Sequence, residues 1–151
     1  LRNRRQRQMC IRDSAYRTRF EDAEHVALVF GDIGSMSSVP VRIHREKLVE
    51  DIFGTQGGHK TNILNASLDK IGELGGGVLI YLRTGFVGVP HENIADQTKE
   101  DERTSQWLEV GVGAQILRDL GLTNIKLIAG REVDYVGVEG FGLTLESTLI
   151  I

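Results

Sequence analysis

Ile63-Leu64-Asn65-Ala66-Ser67-Leu68-Asp69-Lys70-Ile71-Gly72-Glu73-Leu74-Gly75-Gly76-Gly77-Val78-Leu79-Ile80-Tyr81-Leu82 joins two periodicities in one stretch. Ile63, Leu64, Leu68, Ile71 and Leu74 recur at helical spacing, and the three glycines that follow stop the helix. Residues 78–82 then form a short continuous apolar run, which suits a strand buried on both faces. Upstream, residues 25–30 read as a strand ended by Gly31-Asp32, and residues 34–38 as a turn. Residues 39–43 read as a second strand, with Pro40 near its start, where a missing N–H is tolerable. Residues 54–61 are loop-like. Downstream, residues 91–106 are polar and read as a mobile surface segment. Residues 110–120 return to helical spacing, with Gly121 as the stop. Residues 125–128 are another buried-strand candidate, and residues 143–146 alternate as a closing strand. Strands alternating with helices predict an α/β (α+β) domain. There is no internal repeat.

The 151 residues are 40% hydrophobic, which is one domain's worth. No apolar run reaches the roughly 18 residues a membrane-spanning helix needs, so no membrane role is expected. Cys10 is the single cysteine. It excludes an internal disulfide and suits a reducing, cytoplasmic compartment. Residues 1–19 hold seven arginines and one acid, Asp13, a net charge of +6. The remainder carries −9, returning the −3 of the whole chain. That negative body argues against nucleic-acid binding. Three readings stand for the basic arm: a nucleic-acid or membrane tether, a solvated tail outside the fold, or residues foreign to the native protein. The tail is preferred. Residues 5–14 also resemble translated adapter sequence, which would start the native chain near Ala15. The expected division is therefore a basic tail over 1–14 and a folded domain over 15–151.

The densest polar cluster is Arg42-Ile43-His44-Arg45-Glu46, at the end of a predicted strand. Side chains alternate on a strand, so Arg42, His44 and Glu46 share a face. A cation, an imidazole and a carboxylate there suit an anionic ligand, a nucleotide or a sugar phosphate. The same spacing equally suits an exposed face stitched by cross-strand ion pairs. Asp51 and His59 either join this site or sit in the following loop. His44, His59 and His91 lack close-paired spacing, and no second cysteine is present for a zinc site. Phosphate-loop, dinucleotide and nucleophile-elbow motifs are absent. Trp107, beside a polar stretch, reads as a packing anchor.

Residues 25–33, 41–46 and 51–54 resemble the first half of GTP cyclohydrolase II. Val112-Gly113-Ala114-Gln115-Ile116-Leu117-Arg118-Asp119-Leu120-Gly121 and Val138-Glu139-Gly140-Phe141-Gly142-Leu143 resemble its second half in the same order. The resemblance implies a mixed sheet flanked by helices. It also implies an enzyme that opens the guanine ring of GTP, releasing formate and pyrophosphate, with zinc and magnesium. In bacteria such a domain often follows a 3,4-dihydroxy-2-butanone 4-phosphate synthase domain, which makes that synthase the expected partner. Family members dimerise, so a homodimer is a further expectation.

The family's working residues are not matched. Its three zinc cysteines correspond to Lys47, Gly58 and Lys60, none of which can act as a thiolate. Its phosphate-contacting Glu-Gly-Arg should follow Leu82-Arg83, where the chain reads Thr84-Gly85-Phe86-Val87. Its catalytic Asp and Arg fall on Gln106 and Leu108. Its Thr-Asn-Asn-Pro loop is replaced by Ala129-Gly130-Arg131-Glu132, and the lysine after it falls near Asp134. The resemblance thus implies a degenerate domain without zinc or magnesium, structural or regulatory in role, with no catalytic residues. Arg42, His44 and Glu46 are left as a residual anionic-ligand site. The alternative is an active cyclohydrolase with a rearranged metal site drawn from His44, His59 and Glu46.

Overall fold

In the computed structural model, residues 11–19, 23–54, 62–83, 99–131 and 137–151 are described. Their strands are β1 (Ile11–Arg17), β2 (Glu24–Phe30), β3 (Val39–Arg45), β4 (Gly77–Leu82), β5 (Asn124–Ala129) and β6 (Thr144–Ile150). The helices are α1 (Leu48–Phe53), α2 (Ile63–Glu73) and α3 (Lys99–Asp119). One mixed sheet has the order β1-β2-β4-β3-β5-β6. β1, β2 and β4 pair antiparallel, whereas β4, β3, β5 and β6 run parallel. The chain leaves β3 through α1 and α2 to reach β4, then crosses by α3 to β5 on the other side of β3. Central β3 and β4 are therefore covered on both faces, as their continuous apolar character requires.

Alternation along the strands sorts the core into two layers. Val29, Val41, Val78, Ile80 and Leu127 are all buried, and the first four pack with Val110, Ala114 and Leu117 of α3. Phe30, Leu79 and Ile128 point the other way, onto Ile71, Leu64 and Leu68 of α2. Each fully buried aliphatic side chain stabilises the fold by about 1.5–3 kcal/mol relative to exposure. The helix stops work as read. Gly75 takes φ +84°, and the Gly76 N–H reaches back to the Ile71 carbonyl at 3.1 Å. Gly76 itself lies so close to β2 that a Cβ would sit 2.6 Å from the Phe30 carbonyl oxygen. Only glycine passes there.

Residues 11–14 belong to β1 and pair with residues 27–30 across the sheet edge. An arginine-bearing strand is at home on an edge, where charge faces water. Residues 99–106 are helical, making α3 longer than the apolar period indicated. Lys, Glu, Asp and Arg are adequate helix formers, and acids near a helix start favour the macrodipole. The rest of the expected surface segment, residues 91–98, lies outside the described residues. No helix among the described residues is long and apolar enough to cross a membrane.

Candidate functional site

The polar cluster of β3 lies on the α2 face, and its centre is Asp51 of α1. The His44 Nε2–H donates to Asp51, with oxygens at 2.9 and 3.1 Å. The Tyr81 hydroxyl donates to Asp51 Oδ2 at 2.7 Å, and the Lys47 backbone N–H donates to the same oxygen at 3.0 Å. The Lys47 contact is a capping interaction: the carboxylate takes an N–H at the start of α1. Parallel pairing sets His44 level with Tyr81, and their rings stack at 5.5 Å between centroids. Asn62 locks the arrangement from below. Its amide donates to the Glu50 and Asp51 carbonyls at 2.9 and 3.0 Å, while its oxygen accepts from the Leu64 N–H and caps α2.

The side chains of His44 and Asp51 are 3% and 5% exposed. Burial pushes the imidazole below its ordinary pKa, and this outweighs the opposing pull of Asp51. His44 is thus a neutral donor through Nε2, and its Nδ1 is buried with no hydrogen-bond partner. Burial also pushes the Tyr81 hydroxyl well above its ordinary value, with Asp51 adding to the effect. The group orders α1 against the sheet. It offers no open base and no open nucleophile.

The three expected site residues do share the β3 parity, but each has a separate engagement. The Arg42 guanidinium donates to the Ile128 carbonyl on β5 at 3.0 Å. His44 turns to Asp51. Glu46, just past the strand, faces Arg83 at 3.5 Å, and its backbone N–H donates to the Leu82 carbonyl at 2.8 Å. Asp51 joins the site and His59 lies outside the described residues. Arg45 points to the opposite face and pairs with Glu109 of α3 at 3.0 Å. Desolvation holds the Glu109 carboxyl above its usual range despite that partner.

Tyr81 and Asn62 are the members that sequence reasoning missed. Tyr81 is the only hydroxyl in its apolar run. Asn62 directly precedes an apolar-periodic segment, which is an N-cap signature. Trp107, read as a packing anchor, is instead 55% exposed.

A sheet wound on both faces, with polar groups gathered at the C-terminal ends of its parallel strands, defines a class of α/β domain that commonly holds ligands at those ends. The family model for GTP cyclohydrolase II matches residues 6–149, and the chain belongs to the GTP cyclohydrolase II family. It is 36% identical over 144 residues to the "Bifunctional riboflavin biosynthesis protein RIBA 1, chloroplastic" of Arabidopsis thaliana, covering 86% of this chain and 26% of that protein. It is 35% identical over 149 residues to the "Riboflavin biosynthesis protein RibBA" of Salinispora arenicola, covering 89% and 36% respectively. The "Monofunctional riboflavin biosynthesis protein RIBA 2, chloroplastic" of Arabidopsis thaliana is 34% identical over 138 residues, covering 86% and 29%. The chain thus spans about a quarter to a third of the length of these relatives.

The donor set does not fit the family's zinc. Lys47 stands at the first expected thiolate position, and its ammonium lies 3.2 Å from the Glu50 carboxylate. A protonated amine has no lone pair for a metal and repels a cation. Residues 58 and 60 lie outside the described residues, and the sequence supplies glycine and lysine there. Among the described residues, no group of three or more His, Cys, Asp or Glu is placed to hold a metal.

Proposed function

We propose that this chain is a non-catalytic GTP cyclohydrolase II-fold module of riboflavin synthesis, serving a 3,4-dihydroxy-2-butanone 4-phosphate synthase to which it is fused or bound. A bacterial, cytoplasmic setting is part of this reading. The observation that carries it is Lys47: where the resemblance asks for a zinc thiolate, an ammonium ion is paired with Glu50. Leu108 supports the same reading. It stands where the resemblance asks for the catalytic arginine and is 62% exposed, with no charge to offer. Without an activated water and the family's catalytic arginine, the ring-opening transition state lacks its stabilisation here.

Relatives named as bifunctional riboflavin biosynthesis proteins, matched by this chain over about a quarter of their length, support a fused partner domain. Arg42, His44 and Glu46 are the residual anionic-ligand site of this reading. Arg42 is the cation offered to a nucleotide or sugar phosphate, with His44 and Glu46 holding the strand end behind it. The test supplies the protein with zinc, magnesium and GTP and measures formate. The expected result is formate no faster than in a protein-free control. Turnover that scales with protein would overturn the reading and favour the active alternative. Deleting the domain from a synthase fusion should lower synthase activity or solubility; an unaffected synthase would remove the proposed role.

A further inference from the structure

α1 is built inside out. Its inward side chain is a carboxylate, that of Asp51, which is 5% exposed. Leu48, Val49, Ile52 and Phe53 are all exposed, Phe53 by 81%. Their spacing puts these four on one side of the helix, turned away from Asp51. No residue of α1 is buried as a whole, and among the described residues no strand or helix packs broadly against it. We propose that α1 is a releasable strap. It leaves the sheet as a unit while the core stays folded, and its departure uncovers the His44 imidazole and the Tyr81 hydroxyl. Release of this kind is independent of whether the domain is catalytic.

Polar bonds hold the strap down. The Asp51 carboxylate accepts from the His44 Nε2–H at 2.9 Å and from the Tyr81 hydroxyl at 2.7 Å, which ties α1 to β3 and β4. The Asn62 amide donates to the Glu50 and Asp51 carbonyls at 2.9 and 3.0 Å, which ties its far end to the start of α2. The Lys47–Glu50 pair at 3.2 Å lies within the strap and fastens it to nothing else. Water takes over each of these bonds when the helix leaves, so their net worth is a fraction of their gross strength. Apolar burial has no such substitute. Release of α1 gives up almost none of it, because the apolar side chains already face water. α2 differs: it buries Ile71 and Ser67 against the sheet and stays with the core.

The strap is cooperative because it is short. Its helical bonds include Asp51 N–H to the Lys47 carbonyl at 2.7 Å and Gly54 N–H to the Glu50 carbonyl at 3.0 Å. Isolated helices below about 12–15 residues are marginal in water, so helix and docking are lost together. The ends differ. At the start, the Glu46 N–H is bonded to the Leu82 carbonyl at 2.8 Å, a fixed point on β4. At the other end Gly54 takes φ +74°, and a Cβ there would meet nothing within 4 Å. The chain is anchored before the strap and has room to turn after it.

Native-state amide hydrogen exchange of the whole chain, read by NMR between 0 and about 1 M urea, tests this. The reporters are the Asp51 and Gly54 amides of α1, set against those of β4. The α1 amides should be protected, yet exchange on the order of a hundredfold faster than β4. Their rates should be flat with urea, because opening exposes little new surface, whereas β4 should speed up about tenfold or more per molar. Two variants separate the layers. Ile80→Val, in the fully buried core, should speed β4 exchange severalfold and leave α1 unchanged. Tyr81→Phe removes one latch donor and should speed α1 exchange about tenfold. Exchange of α1 at the β4 rate and with the β4 urea slope would overturn the proposal, since α1 would then open only with the whole fold. So would acceleration of α1 by Ile80→Val, no response of α1 to Tyr81→Phe, or α1 amides with no protection at all.

Discussion

The two faces of β3 follow opposite rules. Toward α2, Arg42 and His44 are polar and bound inward, to the Ile128 carbonyl and to Asp51. Toward α3, Val41 is fully buried among aliphatic side chains, and the helix covering it carries exposed Trp107 and Leu108 near its middle. On the first face polarity has become architecture. On the second, ordinary apolar packing leaves an open groove. A substitution should therefore hurt stability on the first face and spare it at the rim of the second.

The sharpest way to break this comparison is Asp51→Ala against Leu108→Ala. Losing Asp51 strands three donors, the His44 Nε2–H, the Tyr81 hydroxyl and the Lys47 N–H. Urea denaturation should show a loss of about 3 kcal/mol or more. Leu108→Ala should stay within about 0.5 kcal/mol. Similar losses in the two variants would erase the distinction.

Two glycines sharpen it next. Gly76→Ala forces a side chain against the Phe30 carbonyl at φ +151°, and should cost about 2 kcal/mol. Gly111→Ala, on the open side of α3, should gain up to about 1 kcal/mol. Thermal melts of both variants give the signs directly.

The pH profile distinguishes the faces at a smaller scale. The folded-state pKa of His44 is lowered, so its contribution to stability is present above the unfolded value of about 6.5. It is lost as pH falls below that value, until the folded pKa is reached, at no more than about 1.4 kcal/mol per pH unit. His44→Gln should flatten this part of the profile. Glu109 runs the other way. Its raised pKa favours the fold in acid and is lost as pH rises through the folded value. Glu109→Gln should therefore gain a little at pH 7, under about 1 kcal/mol once the half-exposed Arg45 partner is considered. A loss of stability in that variant would reassign the Arg45 pair as a net stabiliser.

Most of the fold was legible wherever burial writes itself into apolar content. β2, β4, β5 and α2 were found because residues 25–30, 78–82, 125–128 and 63–74 carry that signal. β1 was missed because an edge strand reading Ile-Arg-Asp-Ser-Ala-Tyr-Arg has little to bury. The first turns of α3 were missed because they rest on propensity, with no apolar stripe to betray them. At the site, strand parity correctly set Arg42 and His44 on one face. Their partners could not be read that way. Asp51 and Tyr81 meet His44 only through the α1 cap and the parallel register of β3 with β4, which are tertiary facts. Trp107 was misjudged because its composition suits a buried anchor, whereas its backing by Gly137 depends on a distant loop return.

Zinc affinity tests the central claim most directly. The protein, titrated with zinc against a chromogenic chelator of nanomolar affinity at pH 7.5, should leave the metal with the chelator. That result follows from the Lys47 ammonium held by Glu50. One equivalent of zinc drawn from the chelator by the protein would contradict it.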